Sequence, residues 1–191
     1  MDMRSDKIAV ILDNLPSGLP ALRAAFQANG RDIRVVGGAV RDALLGVTPK
    51  DVDLCTDANP DEQRDIYLKA GVSHYPTGLS HGTWTVGLGE GELVEITSLR
   101  IDLETDGRHA KVSWTSDWET DLARRDLTIN AMSMDLDGHL YDPFGGREDL
   151  QSGRVRFVGN AEERIREDYL RILRYFRFLA RFGRSELDAE P

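Results

Sequence analysis

For about three quarters of its length the chain alternates short segments of two kinds, and this alternation restricts the possible folds more than any other feature. Strand-like runs occur at Ile33-Arg34-Val35-Val36, at Asp51-Val52-Asp53-Leu54 and at Thr83-Trp84-Thr85-Val86 with Leu93-Val94-Glu95-Ile96. The last two are joined by a Gly-rich turn over residues 87–91. Helix-like runs lie between them. Leu19, Leu22, Ala25 and Phe26 recur at helical spacing ahead of Gly30, residues 39–45 stop at Gly46, and a third run opens at Asn59-Pro60-Asp61 and closes at Gly71. Interleaving of this kind predicts an α+β fold, a small mixed sheet with helices packed on it. Residues 102–116 are polar and without period and read as a mobile loop, and residues 122–132 read as a helix. Asp137-Gly138 between Met134-Asp135-Leu136 and His139-Leu140-Tyr141 predicts a hairpin.

The final segment changes character. Ile165, Tyr169, Ile172, Leu173, Phe176 and Ala180 fall on one side of a single helix, Glu167, Arg171 and Arg174 on the other, with Asp168 at the margin. A stripe of that quality needs a partner surface, either the sheet or chain beyond residue 191. The same region concentrates positive charge. The chain carries a net charge of −9, yet residues 154–184 hold nine arginines against four acids. This is either a surface for a nucleic-acid backbone or a solvated helix face. With 40% apolar and 30% charged residues the chain has the makings of a globular domain, and no apolar run approaches the ~20 residues that span a bilayer. No apolar stretch follows Met1-Asp2-Met3-Arg4, so no signal peptide is expected. Cys55 is the only cysteine, which excludes an internal disulfide and makes a reduced, cytoplasmic setting the default.

Three features carry possible chemistry. Gly37-Gly38 falls between a strand and a helix, where backbone N–H groups can approach an anion, although such a pair is often only a turn. Neither a Walker A lysine nor a GxGxxG fingerprint is present. Asp51 and Asp53, at i and i+2 of a strand start, project to one face with Cα atoms roughly 7 Å apart; a divalent cation with a taste for oxygen ligands removes their repulsion. Taken alone, the pair could equally be a polar strand end. Glu95 interrupts an apolar strand and is either a third carboxylate for a metal site or a surface-facing edge residue.

Assembled, the motifs resemble a known family. Gly37-Gly38-Ala39-Val40-Arg41-Asp42-Ala43-Leu44-Leu45-Gly46 followed by Asp51-Val52-Asp53-Leu54 resembles the signature of class II CCA-adding tRNA nucleotidyltransferases and bacterial poly(A) polymerases. These belong to the polymerase-β-like nucleotidyltransferase superfamily. Arg124-Arg125-Asp126-Leu127-Thr128-Ile129-Asn130-Ala131-Met132 resembles its RRDFTINA motif, with Leu127 in place of Phe. Asp142-Pro143-Phe144-Gly145-Gly146 resembles its hinge motif, and Glu167-Asp168-Tyr169-Leu170-Arg171 its EDxxR motif.

The resemblance implies a nucleotidyltransferase head over residues 1–150 and the start of a helical neck over 151–191. It implies Mg²⁺ on Asp51 and Asp53, to which the strand reading above adds Glu95 as a candidate catalytic carboxylate. Gly37, Gly38 and Arg41 would face the triphosphate, and Asp126 would read the ribose 2′-OH with Arg125 and Asn130 nearby. Asp168 and Arg171, with Arg174, would read the base. An Asp–Arg pair accepts from the exocyclic amino group and donates to the adjacent ring acceptor, which admits CTP and ATP and rejects GTP and UTP. The implied partner is the tRNA 3′ end. A poly(A) polymerase, a CC-adding or A-adding specialist, and a non-catalytic RNA-binding remnant are the rival readings. Arg34-Val35-Val36-Gly37-Gly38 looks more like the CCA-adding branch, and Arg100-x-Asp102 with Asp106-Gly107-Arg108 resembles a flexible element that CC-adding members lack. His74, His81, His109 and His139 show no metal-ligand spacing, and Trp84, Trp114 and Trp118 read as packing residues, with stacking open to the last two.

Overall fold

The computed structural model describes residues 11–105 and 110–183. Asp106, Gly107, Arg108 and His109 lie outside the described residues. Helix α1 (Leu19–Ala28) precedes β1 (Ile33–Val36), α2 (Gly38–Leu44), β2 (Leu54–Thr56) and α3 (Pro60–Ala70). Strands β3 (His74–Gly78), β4 (Thr83–Gly89) and β5 (Glu92–Ser98) follow, then β6 (Arg100–Thr105) and β7 (Ala110–Trp114). Helix α4 (Trp118–Ala123), β8 (Ser133–Asp135), β9 (Leu140–Tyr141), α5 (Gly146–Ser152), α6 (Ala161–Glu167) and α7 (Leu170–Phe182) complete the order.

The main sheet runs β3-β4-β5-β2-β1-β8-β9, and only the β2–β5 pair is parallel. It is the mixed sheet with packed helices that the alternation predicts. Local chemistry explains the boundaries. Asn59 caps α3 in a full capping box with Glu62, and Gly71 ends it in the left-handed region. The hairpin at Asp137-Gly138 forms, with Met134 opposite Leu140. Its turn is clasped by Asp135, whose carboxylate accepts from the N–H groups of Asp137 and His139. Leu22, Phe26, Ile33, Val35, Val40, Leu54, Ile66, Tyr67, Val86 and Ile96 are among the residues that fill the principal core between sheet and helices.

Four expectations need correction. The segment expected as a loop holds two strands over residues 102–105 and 110–114: β6 and β7 pair antiparallel, with Arg100 opposite Trp114 and Asp102 opposite Val112. Ile101 with Leu103, and Val112 with Trp114, do alternate in the sequence, but the register sets Val112 and Trp114 opposite Asp102 and Arg100, so the ribbon has no face that is apolar across both strands. The helix expected over 122–132 ends at Ala123, and the chain then runs extended through Leu127 into a short 3-10 turn, Thr128–Asn130. Leu127 and Ile129 are both fully buried there, so their apolarity reports a core position and not a helix face.

The third correction concerns strand β2, which starts at Leu54, so Asp51 and Asp53 precede it. The Asp53 carbonyl still accepts from Val36 N–H at 3.0 Å and continues the β1 ladder by one bond. The fourth is at the C-terminal end, where the single helix is two. Asp168 adopts φ −156° and ψ 108°, which breaks the helix between α6 and α7. The expected apolar stripe is not buried on the head. Tyr169, Leu173 and Phe176 are 71%, 68% and 54% exposed, whereas Tyr175 and Phe178 are buried. These two join Leu127, Ile129, Leu150, Val155 and Phe157 in a second core. Apolar residues cover about half the circumference of α7, and the head packs against only one part of that arc.

Candidate active site

The strand ends, the 3-10 turn and α7 converge on one cavity of about 610 Å³, lined by Gly38, Arg41, Asp53, Arg100, Arg124, Arg125, Asp126, Asn130, Asp168, Arg171, Arg174 and Phe178. A second cavity of about 330 Å³ shares Asp53, Arg100, Arg124 and Arg125 with it and adds His81, Thr83, Glu95 and Thr97. Asp53 therefore stands on the border between the two.

The register explains the carboxylates. In the parallel β2–β5 pair Leu54 lies beside Ile96, both buried. The residues just before them, Asp53 and Glu95, are exposed and line the smaller cavity together. Exposure is compatible with both readings of Glu95, a metal-site carboxylate and a surface-facing residue, and Leu93 at 62% exposure shows that this face of β5 is open. Asp51 is exposed too, at the bend before β2, and lines neither cavity. Among the described residues Asp51, Asp53 and Glu95 enter no ion pair. The single hydrogen bond to Glu95 comes from Thr85 Oγ1 at 3.5 Å. Oxygen donors without an internal cation suit a hard divalent ion, although the three do not gather within 4.8 Å of one another.

The group of described residues that does gather that closely, Asp135, Asp137 and His139, has other work. Asp135 also accepts from the Tyr141 hydroxyl at 3.2 Å, and Asp137 pairs with Arg23 at 2.7 Å. Burial pushes the Asp135 carboxyl up, but the two backbone N–H groups of its own turn outweigh that and hold it below the usual carboxylate range.

Gly37 has φ 69° and ψ −126°, a backbone region closed to other residues. A Cβ there would also lie 2.6 Å from Arg125 Nη1. The glycine thus admits the guanidinium of Arg125 as well as forming the turn. Arg41, 7% exposed, donates to Asn130 Oδ1 at 2.5 Å and to Asp42 at 2.8 and 2.9 Å, and it lies over the rings of Phe178 and Phe182. Asn130 in turn donates to Asp126 Oδ1 at 3.3 Å.

Asp126, 6% exposed, receives Leu127 N–H at 2.9 Å on the same oxygen and Arg174 Nε at 2.6 Å on the other. Burial pushes its carboxyl up, and the hydrogen bond and charge of Arg174 more than reverse that. Arg171 donates to Glu167 at 2.8 Å and to the Arg124 carbonyl at 3.3 Å, so the base-reading candidate is oriented from both sides. Asp168 accepts from Leu170 N–H at 2.9 Å. Asp168 and Arg171 are not neighbours on one helix, yet the break at Asp168 leaves both on the wall of the larger cavity.

Of the twelve site residues expected from sequence, nine line the larger cavity, Glu95 lines the smaller one, and Gly37 and Asp51 line neither. The larger cavity has three further lining residues to which sequence reasoning gives no site role, Arg100, Arg124 and Phe178. Arg100 reads only as part of a flexible element and Arg124 only as part of its motif, and Phe178 lies outside the expected apolar stripe. Trp118 stacks on Arg34, 4.2 Å from its guanidinium, with Tyr141 3.7 Å away on another ring. Trp114 lies where a Cβ on Gly82 would be, 2.6 Å away, and so seats the β6–β7 ribbon on the turn after His81.

Comparison with known proteins places these features in context. Residues 33–156 match the poly A polymerase head domain. Over 175 residues, 91% of the chain, the sequence is 53% identical to CCA tRNA nucleotidyltransferase 1, mitochondrial, of Danio rerio, covering 40% of that protein. It is 42% identical to the CCA-adding enzyme of Bacillus subtilis over 86% of the chain and 41% of the relative. The chain thus spans about two fifths of the length of the curated relatives it matches. The structure superposes on a CCA-adding enzyme of Bacillus stearothermophilus in complex with CTP, with TM-score 0.72, 37% identity, 86% of this chain and 40% of that one. It also superposes on a CCA-adding enzyme with ATP, with TM-score 0.68, 30% identity, 93% of this chain and 42% of that one. The chain belongs to the poly A polymerase head domain family.

Proposed function

We propose that the protein is a template-independent RNA nucleotidyltransferase that adds CMP and AMP from CTP and ATP to the tRNA 3′ end. The observation that carries this reading is a single cavity bordered by an unpaired carboxylate, Asp53, by the Gly38–Arg41 turn, and by Asp126, Asp168, Arg171 and Arg174. Its volume of about 610 Å³ is of the size that takes a small-molecule ligand. Residues 1–150 form the head and 151–191 the start of a neck in this reading, and the two share the core of Leu127, Ile129, Leu150, Val155, Phe157, Tyr175 and Phe178. A cytoplasmic setting is proposed on the single cysteine. No helix among the described residues is long and apolar enough to cross a membrane.

Asp51, Asp53 and Glu95 are the oxygen donors that would hold divalent cations, taken to be Mg²⁺, which supply charge neutralisation for the acceptor hydroxyl and the leaving pyrophosphate. The chain's own residues bind and orient. Gly38, Arg41 and Arg125 receive the triphosphate, and Gly37 makes the turn that lets Arg125 in. Asp126 accepts from the ribose 2′-OH, and Asn130 and Arg174 hold it in place for that. Asp168 accepts from the amino group of cytosine or adenine while Arg171, fixed by Glu167, donates to the neighbouring ring acceptor. The tRNA 3′-OH attacks the α-phosphate in line, and pyrophosphate leaves.

The test is incubation of the protein with Mg²⁺, a tRNA lacking its terminal CCA, and each nucleotide separately. CMP incorporation from CTP, followed by one AMP from ATP, is expected, with none from GTP or UTP. A run of AMP without CTP would mean a poly(A) polymerase, CMP without AMP a CC-adding specialist, and AMP alone an A-adding one. Absence of any incorporation would overturn the enzymatic reading.

A further inference from the structure

On the shared border of the two cavities the side chains of Arg124 and Arg125 and the backbone N–H of Arg100 turn toward one buried acid on α4. Asp121 has a side chain 1% exposed. Its Oδ1 accepts from Arg100 N–H at 3.1 Å and from Arg124 Nε at 2.9 Å. Its Oδ2 is 3.6 Å from Arg125 Nη2 and accepts no hydrogen bond. Arg125 Nε, Arg100 Nε and Asp102 Oδ1 are buried and equally without a hydrogen-bond partner. Four unsatisfied polar atoms in one small region mark an arrangement whose hydrogen bonding is incomplete in the free protein.

The guanidinium of Arg125 is located at both ends. Nη1 lies in the space that a Cβ on Gly37 would fill and points to the Asn130 carbonyl at 3.5 Å, and Nη2 points to Asp121. Arg124 is fixed more tightly, with Nη2 also 2.9 Å from Asp121 Oδ1. A planar guanidinium held in one orientation presents its remaining donors to a phosphate without first losing rotamer freedom. Asp121, together with Asp102 at 3.5 Å from Arg100 and 3.9 Å from Arg124, also lowers the mutual repulsion of the three cations. Burial and the neighbouring Arg124 lower the Arg100 guanidinium, and Asp102 and Asp121 offset part of that.

We propose that Asp121 is a positioning residue that holds Arg124 and Arg125 as donors for the polyphosphate of the incoming nucleotide. The proposal rests on reading the larger cavity as the nucleotide site. Asp121 does not touch the nucleotide; it acts through the two arginines, and its effect falls on phosphate affinity and not on base choice.

The test compares wild type, Asp121→Asn, Arg124→Ala/Arg125→Ala and the triple variant. It measures binding of CTP, cytidine and inorganic tripolyphosphate by calorimetry, and KM and kcat for CMP addition. Loss of one charge-assisted positioning contact corresponds to about ten-fold in affinity. Asp121→Asn is therefore expected to weaken CTP and tripolyphosphate by about ten-fold, to raise KM alike, and to leave cytidine binding and kcat within roughly two-fold. In the Arg124→Ala/Arg125→Ala background the same change is expected to add nothing. Equal further loss in that background, or an unchanged tripolyphosphate affinity, would overturn the role. Should Asp121→Asn fail to fold, ¹⁵N spectra of wild type decide: a resolved, slowly exchanging Arg124 Nε–H without ligand supports positioning, and a rapidly averaged one refutes it. Wild type that binds neither CTP nor tripolyphosphate would bring down the nucleotide reading itself. Wild type that binds while the variants match it would bring down the Asp121 proposal alone.

Discussion

Asp126 meets two demands with one carboxylate. It lines the larger cavity, where the proposed function has it read the ribose, and it anchors α7 through Arg174. Asp126→Ala is expected to raise the rate with dATP relative to ATP by about ten- to hundred-fold, because the acceptor that distinguishes a 2′-OH is gone. An unchanged dATP/ATP ratio would show that the sugar is read elsewhere. The anchoring role is separable by pH. The folded carboxyl lies below its unfolded value of about 3.9. Its contribution is thus complete above that value and is lost as pH falls through the folded pKa, because there the unfolded chain binds the extra proton. Denaturant titrations of wild type and Arg174→Ala should differ by a constant margin from pH 7 to pH 5, and the margin should shrink below about pH 4. A margin that persists at pH 3 would mean that Arg174 contributes by packing. With the Arg174 side chain 48% exposed, that margin is about 1 kcal/mol or less. At this scale the sequence was informative about residue types and weak on partners. Arg125, Asp126, Asn130, Asp168 and Arg171 could be picked out by motif, whereas nothing local joins Asp126 to an arginine 48 positions away. Asp121 could have been suspected, since it stands three and four residues before Arg124 and Arg125 on a helical stretch.

Helix α7 shows what periodicity can and cannot give. Its existence and its arginine face were legible, but which apolar residues meet the head was not. The wheel drawn through Ile165 assumed a continuous helix, and the break at Asp168 resets the rotation for everything after it. The residues that are buried, Tyr175 and Phe178, stack on Phe157 and wall the larger cavity respectively. Phe178→Ala is expected to destabilise the protein by about 3 kcal/mol, as large-to-small changes in a packed core do. It should also weaken CTP binding, because Arg41 loses one of the two rings beneath it. The pair Leu173→Glu/Phe176→Glu changes exposed positions and should shift stability by no more than about 0.5 kcal/mol. Thermal melting of the three proteins checks the order. If the exposed pair proved the more damaging, those side chains would be covered in solution by a contact absent from this structure.

The whole molecule is organised around β2, the middle strand of the sheet, and this was the most legible level of all. A run of alternating strands and helices can hardly be buried otherwise, and the motifs place Asp51 and Asp53 just ahead of β2. What the sequence did not reveal is how deeply that strand is held. Cys55 on β2 is paired with Arg34 on one side and Thr97 on the other, and it packs with Val36 and Leu99. Its thiol is pushed up to about 12, first by burial and then by the charge of Asp121, against the opposing effect of Arg125 and Arg124. Only the thiolate reacts, and an ordinary cysteine ionises near pH 8.5, so at pH 8 this thiol should be about three orders of magnitude less reactive than a free one. Labelling with a disulfide reagent should therefore require the sheet to open. Its rate is expected to rise with denaturant along the same slope as global unfolding, since β2 has partners on both sides and cannot fray alone. Bound CTP should slow labelling by the factor 1 + [L]/Kd that binding to the folded state imposes, and by no more. Labelling with a shallow denaturant slope, abolished by CTP, would instead mean that the reagent reaches Cys55 through the smaller cavity, which Cys55 helps to line, while the sheet stays intact. In that case the nucleotide would be closing a local motion of the arginine-lined wall and not stabilising the fold as a whole.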